Sequence, residues 1–141
     1  MGMTFSIIKP DAVAAGNAGN ILALLQSKGF KLRGIKMLRF STEQAKAFYE
    51  VHKERPFYGE LVKFMTSGPA MPLALEYDGD AVTTLREVMG ATNSKEAAEG
   101  TVRNLYGTDI EQNAIHGSDS EENAALELSF FFSRADLIAA E

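Results

Sequence analysis

The sequence has no cysteine, only two histidines and no apolar run near the length of a membrane span. The absence of cysteine excludes both a disulfide framework and a thiolate metal site. A membrane span needs about 18 consecutive apolar residues, and the N-terminus enters a strand pattern without the regions of a signal peptide. Two histidines are too few for a hydrolase built on clustered histidine and acidic metal ligands. These absences favour a cytoplasmic protein.

An excess of positive charge is also missing. The chain has 14 Lys and Arg against 19 Asp and Glu, which gives a formal net charge of -5. Nucleic-acid binders usually present a basic face or stripe, so this balance argues against dedicated nucleic-acid binding. It does not exclude a small phosphorylated substrate, because screening limits the reach of surface charge to about 10 Å and a local cluster of cations can still bind phosphate.

What the sequence does contain is typical of one soluble globular domain. Its 141 residues, 45% hydrophobic and 23% charged, predict a single domain over residues 1–141 with a sizeable core. Four strand-like segments alternate with helical ones, which favours an α+β or α/β sandwich with helices covering the sheet. The strands are predicted at residues 4–8, 30–40, 70–77 and 113–116, the second with a bulge near Gly34.

Helices are predicted between these strands from their capping residues and apolar spacing. They cover residues 21–28, a segment from Ser41 through Val51, a segment whose first turn holds Pro56, and a segment capped by Asp80. Residues 101–106 fit either a strand or a helix. A last helix follows the hydroxyl-rich turn, and residues 134–141 are a short tail.

The stretch NAIHGSDS at residues 113–120 places His116 between an apolar approach and a helix start. Ser118 followed by Glu121 fits a capping box, and the free N–H groups of a helix N-terminus suit a bound phosphate. Neutral imidazole is nucleophilic near pH 7, because its ordinary pKa is about 6.5. From the residues alone, His116 is either a group carrier or an ordinary loop or core histidine.

Several segments together resemble the nucleoside diphosphate kinase family. The resemblance covers nearly the whole chain and rests on residues 5–11, 53–58, 66–69, 89–93, 100–103 and 113–120. The last of these is similar to the active-site signature of the family. The resemblance implies an α+β, ferredoxin-like fold, in which helices cover a four-stranded antiparallel sheet of βαββαβ order.

The resemblance also implies a ping-pong reaction that maintains nucleoside and deoxynucleoside triphosphate pools. The γ-phosphate of a nucleoside triphosphate, mainly ATP, passes to Nδ1 of His116 and then from phosphohistidine to a second nucleoside diphosphate. Mg²⁺ is expected to bind through the nucleotide phosphates, with Asp119 able to contact it through water. The implied partners are these nucleotides and further copies of the chain, as a dimer, tetramer or hexamer.

The resemblance assigns roles residue by residue. The residues matching phosphate-binding positions of the family are Lys9, Arg55, Arg86, Thr92, Arg103 and Asn113. Phe57 matches the residue that stacks on the base, with Leu61 and Ile110 beside it. Tyr49 matches a tyrosine near the catalytic imidazole, and Glu127 with Ser118 matches the pair that orients that imidazole. His52 matches no catalytic position and is expected on the surface.

A different class of function is open from the residues alone. An α+β domain of this size can bind nucleotide or nucleic acid without doing chemistry. Such a binding module would have affinity for nucleotides but would not exchange phosphate between ATP and a second diphosphate.

Overall fold

A computed structural model describes residues 2–137, and its four strands form one antiparallel sheet in the order β2-β3-β1-β4. The strands are β1 Gly2–Ile8, β2 Lys31–Ile35, β3 Met71–Tyr77 and β4 Ile115–Gly117. The order and the pairing are those of the ferredoxin-like sheet, so the predicted fold is confirmed. Because β1 and β4 pair antiparallel, the C-terminal end of β1 lies beside the start of β4.

Eight α-helices lie within the described part of the chain, together with two 3₁₀ turns at Glu50–His52 and Ser94–Glu96. The helices are α1 Pro10–Ala14, α2 Ala18–Ser27, α3 Thr42–Phe48, α4 Tyr58–Met65, α5 Ala81–Met89, α6 Val102–Tyr106, α7 Glu121–Phe131 and α8 Arg134–Leu137. None of them is long and apolar enough to cross a membrane. The end of the predicted tail, residues 138–141, lies outside the described residues.

The core consists of two apolar clusters, one on each face of the sheet. Strand β1 supplies both, because alternate side chains of a strand point to opposite faces. Phe5 and Ile7 pack with residues of α3, α4 and α7, whereas Ile8 packs with residues of α2 and α5. All three side chains are fully buried. Burial on both faces explains why residues 4–8 are a β-branched and aromatic run with no charged residue.

The second strand is shorter than predicted. It ends at Ile35, and beyond it only Leu38 makes an isolated bridge, with Ala70. The predicted bulge is confirmed, since the pairing with β3 shifts register between Leu32 and Gly34. A Cβ at Gly34 would lie 2.8 Å from the ring of Phe132, so the bulge also gives that ring its space.

Helix boundaries between β2 and β3 also differ from the prediction. The helix start predicted at Ser41 is confirmed, and it takes the form of a capping box: the Ser41 hydroxyl accepts from the N–H of Gln44, and the Gln44 side chain accepts from the N–H of Ser41. The helix ends at Phe48 and not at Val51, and a 3₁₀ turn follows it. Helix α4 begins at Tyr58, two residues after Pro56.

Residues 101–106, which fit either a strand or a helix by sequence, form helix α6 with Thr101 as its N-cap.

The predicted capping box of Ser118 and Glu121 is wrong. Helix α7 begins at Glu121, and its cap is Ser120, whose hydroxyl accepts from the N–H of Asn123 at 3.1 Å. The N–H of Ser118 bonds to the carbonyl of Phe5 at 3.1 Å, so the chain is still aligned beside β1 at this point. A capping box needs the Ser118 N–H for the Glu121 side chain, but that N–H is taken by Phe5, and the Ser118 hydroxyl donates to Glu127.

Candidate active site

A cavity of about 440 Å³ opens where β1 ends and β4 begins. It brings together most of the residues predicted to form the site. Those that line it are Lys9, Tyr49, Phe57, Leu61, Thr92, Arg103, Ile110, Asn113 and His116. Glu111 and Ile115 line it as well, although they were not predicted.

The orientation of the His116 imidazole is fixed by a contact at its Nε2 atom. Its Nε2 lies 2.7 Å from Oε1 of Glu127, and the hydroxyl of Ser118 donates to the same oxygen at 2.9 Å. The histidine side chain is 23% exposed. A carboxylate partner at Nε2 favours the tautomer with the proton on that nitrogen, which leaves the lone pair of Nδ1 available. The ring is therefore fixed in one orientation rather than free to rotate.

The backbone and the ring faces of His116 are also fixed by neighbours. In β4 His116 pairs with Ile7, and its carbonyl accepts from the buried hydroxyl of Ser6 at 2.7 Å. The ring makes edge contacts with Phe5 and Phe48, at centroid distances of 6.0 and 5.7 Å. Tyr49 lies edge-on at 6.5 Å. Ser6 and Phe48 were not predicted, since a serine in a strand and an aromatic in a helix carry no signal of their own.

Lys9 is a buried cation at the C-terminal end of β1. Its Nζ donates to Oδ1 of Asn113 at 2.8 Å and to the carbonyl of Glu111 at 3.3 Å. Burial, with the positive charge of Arg103 as a second cause, lowers the pKa of Lys9 to about 8. The ammonium is therefore largely charged at neutral pH, poorly hydrated, and better satisfied by an anion in the cavity than by its present neutral partners.

Arg103 is a second buried cation in the wall. Its Nη1 donates to the carbonyl of Gly90 at 3.0 Å, and its Nη2 to the carbonyl of Ile115 at 2.8 Å. Burial, followed by the charge of Arg86, lowers the pKa of Arg103 to about 10, so it stays charged at neutral pH. Gly90 has φ +88°, and a Cβ there would lie 2.4 Å from Oγ1 of Thr101. Only glycine can offer its carbonyl to Arg103 in this way.

Asn113 and three apolar residues complete the cavity. The amide nitrogen of Asn113 donates to the carbonyls of Thr92 at 2.9 Å and Ile110 at 3.2 Å, which ties two loops to the cavity wall. The side chains of Phe57 and Ile110 are apolar yet 50% and 64% exposed. With Leu61 they form an apolar mouth above a floor that holds the cations and the imidazole.

Not every predicted residue is in this cavity. Arg86 and Asp119 line a second cavity of about 660 Å³ beside α5. Arg55 is exposed, and its N–H donates to the carbonyl of His52 at 2.8 Å. His52, which was expected on the surface, is half-buried, and its ring centroid lies 5.5 Å from that of Phe57 and 6.4 Å from that of Tyr49.

No group of three or more His, Cys, Asp or Glu side chains within residues 2–137 is arranged to hold a metal ion. The carboxylate of Asp119 accepts from the amide of Asn123 at 2.6 Å, and this bond lowers its pKa. Asp119 is therefore an ionised carboxylate at neutral pH.

A fixed imidazole and two buried cations line one cavity on a ferredoxin-like sheet, an arrangement that suits a phosphotransferase acting on nucleotides. The sequence profile of the nucleoside diphosphate kinase family matches residues 2–137. The chain belongs to the nucleoside diphosphate kinase family, whose members transfer phosphate between nucleoside triphosphates and diphosphates.

Individual relatives agree with this assignment. The nucleoside diphosphate kinase of Persephonella marina is 52% identical over 135 residues, 96% of each chain. That of Campylobacter fetus is 54% identical over 137 residues, 97% of this chain and 99% of the relative. Two solved structures are also similar. The Aquifex aeolicus enzyme has a TM-score of 0.94 at 45% identity, covering 97% of this chain and 99% of that one. The Halobacterium salinarum enzyme in complex with CDP has a TM-score of 0.92 at 40% identity, covering 99% and 92%.

Proposed function

We propose that the chain transfers the γ-phosphate of a nucleoside triphosphate, mainly ATP, to a second nucleoside diphosphate through a phosphohistidine on His116. The observation that carries this proposal is the 2.7 Å contact between Nε2 of His116 and Glu127. It leaves Nδ1 as the nitrogen that can accept phosphate. Family membership supports the reaction, and the contact supports the choice of residue and atom.

The two half-reactions mirror each other. The lone pair of Nδ1 attacks the γ-phosphorus, an N–P bond forms, and the bond to the bridging oxygen breaks so that the diphosphate leaves with its electrons. The ring becomes a cation, which the Glu127 carboxylate stabilises with the help of Ser118. A terminal phosphate oxygen of the second diphosphate then attacks the same phosphorus and restores the imidazole. Positioning and charge neutralisation supply most of the catalysis in such a transfer.

The cations of the wall are proposed to bind the phosphates. Lys9 and Arg103 already line the cavity, together with Thr92 and Asn113. Arg55 and Arg86 are exposed, so their long side chains are free to turn toward a bound nucleotide. Tyr49 is buried against the imidazole, and burial raises its pKa, so its hydroxyl remains a neutral hydrogen-bonding group.

Mg²⁺ is proposed as the cofactor, bound mainly through the phosphates of the nucleotide. The residues fit this arrangement, because Asp119 offers an ionised carboxylate that can contact such an ion through water. When bound, the ion neutralises charge on the phosphate oxygens. Lys9 and Arg103 hold the remaining negative charge of the phosphates.

The apolar mouth is proposed to bind the base. Phe57 offers a π-face, and Leu61 and Ile110 lie beside it. Stacking on a π-face does not depend on the hydrogen-bonding edge of the base, so purines and pyrimidines can both bind. The complex of the Halobacterium salinarum relative with CDP is consistent with a site for nucleoside diphosphates in this fold.

Replacing Phe57 by alanine is expected to raise KM for every nucleotide by about ten- to hundredfold, with little change in kcat, because stacking is worth about 1–3 kcal/mol per base. Steady-state kinetics with one purine and one pyrimidine diphosphate measure this effect. The matched control is Leu105→Ala, which removes a similarly exposed apolar side chain outside the cavity. An equal rise in KM for both variants would contradict the assignment.

The remaining properties of the proposed enzyme concern its organisation. It is proposed to be one cytoplasmic domain spanning residues 1–141, assembled as a dimer, tetramer or hexamer, without membrane or dedicated nucleic-acid binding. The net charge of -5 supports the last point. Light scattering on the purified protein distinguishes the three assemblies.

The reaction is tested by mixing the protein with a triphosphate labelled at the γ-phosphate. The expected product is a phosphoprotein that is labile to acid and stable to base, as a phosphoramidate should be. Adding an unlabelled diphosphate is expected to remove the label and produce labelled triphosphate. Nucleotide binding without any labelled protein would instead favour the binding-module function.

A further inference from the structure

The backbone between Asn113 and His116 adopts an unusual conformation at Ala114. Among residues 2–137, Ala114 alone has a positive φ, +72°, without being glycine. The N–H of Ile115 donates to the carbonyl of Asn113 at 2.8 Å and closes a three-residue turn around Ala114. A bond of this kind with φ near +75° is a γ-turn of the rare and strained hand. Such strain persists only where surrounding contacts enforce it.

The contacts that enforce this turn come from one short segment. The carbonyl of Ala114 accepts from the N–H of Lys9 at 2.8 Å, and the N–H of Ala114 donates to Oδ2 of Asp11 at 3.1 Å. Ala114 is fully buried, so its polar backbone groups need protein partners. The Asp11 carboxylate is therefore the group that satisfies the N–H of Ala114 in this conformation.

We propose that Asp11 is a positioning residue, whose carboxylate holds the strained turn at Ala114 and thereby keeps Asn113 and His116 in register with Lys9. The proposal rests on the function proposed for His116. It also explains why an acidic side chain is half-buried beside the cavity, where burial raises the pKa of Asp11. A surface acid would carry no such cost.

The turn connects two parts of the site that must not move independently. On one side, Oδ1 of Asn113 accepts from Nζ of Lys9 at 2.8 Å. On the other side, Ile115 enters β4 opposite Ile8, and His116 follows it. Without an acceptor for its N–H, Ala114 would relax toward negative φ and rotate the Asn113 peptide. The contact of His116 with Glu127 would survive, but the phosphate-binding wall would shift relative to the imidazole.

The test compares three variants with the parent, at a temperature well below the unfolding midpoint of each. They are Asp11→Ala, Asp11→Asn and the double variant Asp11→Ala with Ala114→Gly. The readouts are the single-turnover rate of His116 labelling, kcat, KM and the midpoint of thermal unfolding. Ala114→Gly alone is the control, and it should label at the parental rate because glycine adopts positive φ without strain.

The three variants are expected to differ in their labelling rates. Asp11→Ala should label roughly ten- to hundredfold more slowly, because small displacements of reacting groups cost rates of this size. Asp11→Asn should stay within about threefold of the parent, since its amide oxygen still accepts from the N–H of Ala114. The double variant should recover most of the lost rate, because glycine adopts positive φ without strain, so the turn no longer needs the carboxylate to enforce it.

Two outcomes would overturn the proposal. One is parental labelling by folded Asp11→Ala with only a lower unfolding midpoint, which would make Asp11 structural. The other is slow labelling by Asp11→Asn and by the double variant alike, which would make the charge of Asp11 the important property. If the parent protein carries its label on a residue other than His116, the proposed function has failed instead, and that result is distinct from both.

Discussion

Replacing His116 by alanine is expected to abolish formation of the phosphoprotein and to lower kcat by at least about 10⁴-fold. A reaction that proceeds through a covalent intermediate loses its whole pathway when the nucleophile is removed, and losses of this size are typical. Binding should change little, because Lys9, Arg103 and Phe57 remain in the cavity wall. The measurements are labelling by a γ-labelled triphosphate and the affinity for a diphosphate by calorimetry.

The other histidine provides the matched control. His52 lies close enough to Phe57 to share the environment of the cavity mouth, but no carboxylate is paired with its ring among the ion pairs of residues 2–137. His52→Ala is expected to retain stoichiometric, acid-labile labelling. Label that persists in His116→Ala and disappears in His52→Ala would reverse the assignment of the nucleophile.

Replacing Lys9 by methionine is expected to change activity and stability in opposite directions. The turnover rate should fall roughly 10²-fold or more, because a preorganised cation facing the phosphates is lost from a site shielded from water. Stability near pH 7 should not fall with it. The pKa of Lys9 is about 8 against an ordinary value of 10.5, which means that burying the charged amine costs the native state about 3 kcal/mol.

The sign of the pH effect follows from the same pKa. Between pH 8 and 10.5 Lys9 is neutral in the native protein but charged in the unfolded chain, so the unfolded chain binds more protons. The parent should therefore gain up to about 3 kcal/mol of stability relative to Lys9→Met as the pH rises through this window. Over the same pH range kcat/KM of the parent should decline, because Lys9 loses its proton in the free enzyme and kcat/KM depends on the protonation state of the free enzyme.

Urea unfolding and steady-state kinetics at several pH values measure both effects. The control is Lys63→Met, which removes an exposed lysine from α4. Its stability relative to the parent should not vary with pH in this window. A difference between parent and Lys9→Met that is constant from pH 7 to pH 10.5 would contradict the buried, charged state of Lys9.

Some of the fold follows from local sequence and some does not. The strand at residues 4–8 and the helix start at Ser41 were predictable, because β-branched and aromatic composition and capping are properties of a few neighbouring residues. The false capping box at Ser118 has the same local pattern. It failed because the backbone of Ser118 pairs with Phe5, a contact between distant parts of the chain that no short window contains.

The candidate site also has features that the sequence predicted and features that it did not. The resemblance to a family predicted most residues of the cavity, since their spacing along the chain carries over with the fold. It did not predict the left-handed turn at Ala114, because alanine has no preference for positive φ and the cause lies in Asp11. The direction of Arg86 was also beyond prediction, since an exposed arginine on a helix can adopt many rotamers.

The apolar mouth has a consequence for the nucleotide composition of the cell. On the proposed assignment, buried polar groups bind the phosphates, whereas the base contacts only the apolar side chains of Phe57, Leu61 and Ile110. Nucleotides that differ only in the base then compete on nearly equal terms for one phosphorylated histidine. Such a catalyst drives every pair toward a common ratio of triphosphate to diphosphate, so the energy charge of the adenine nucleotides sets that of all the others.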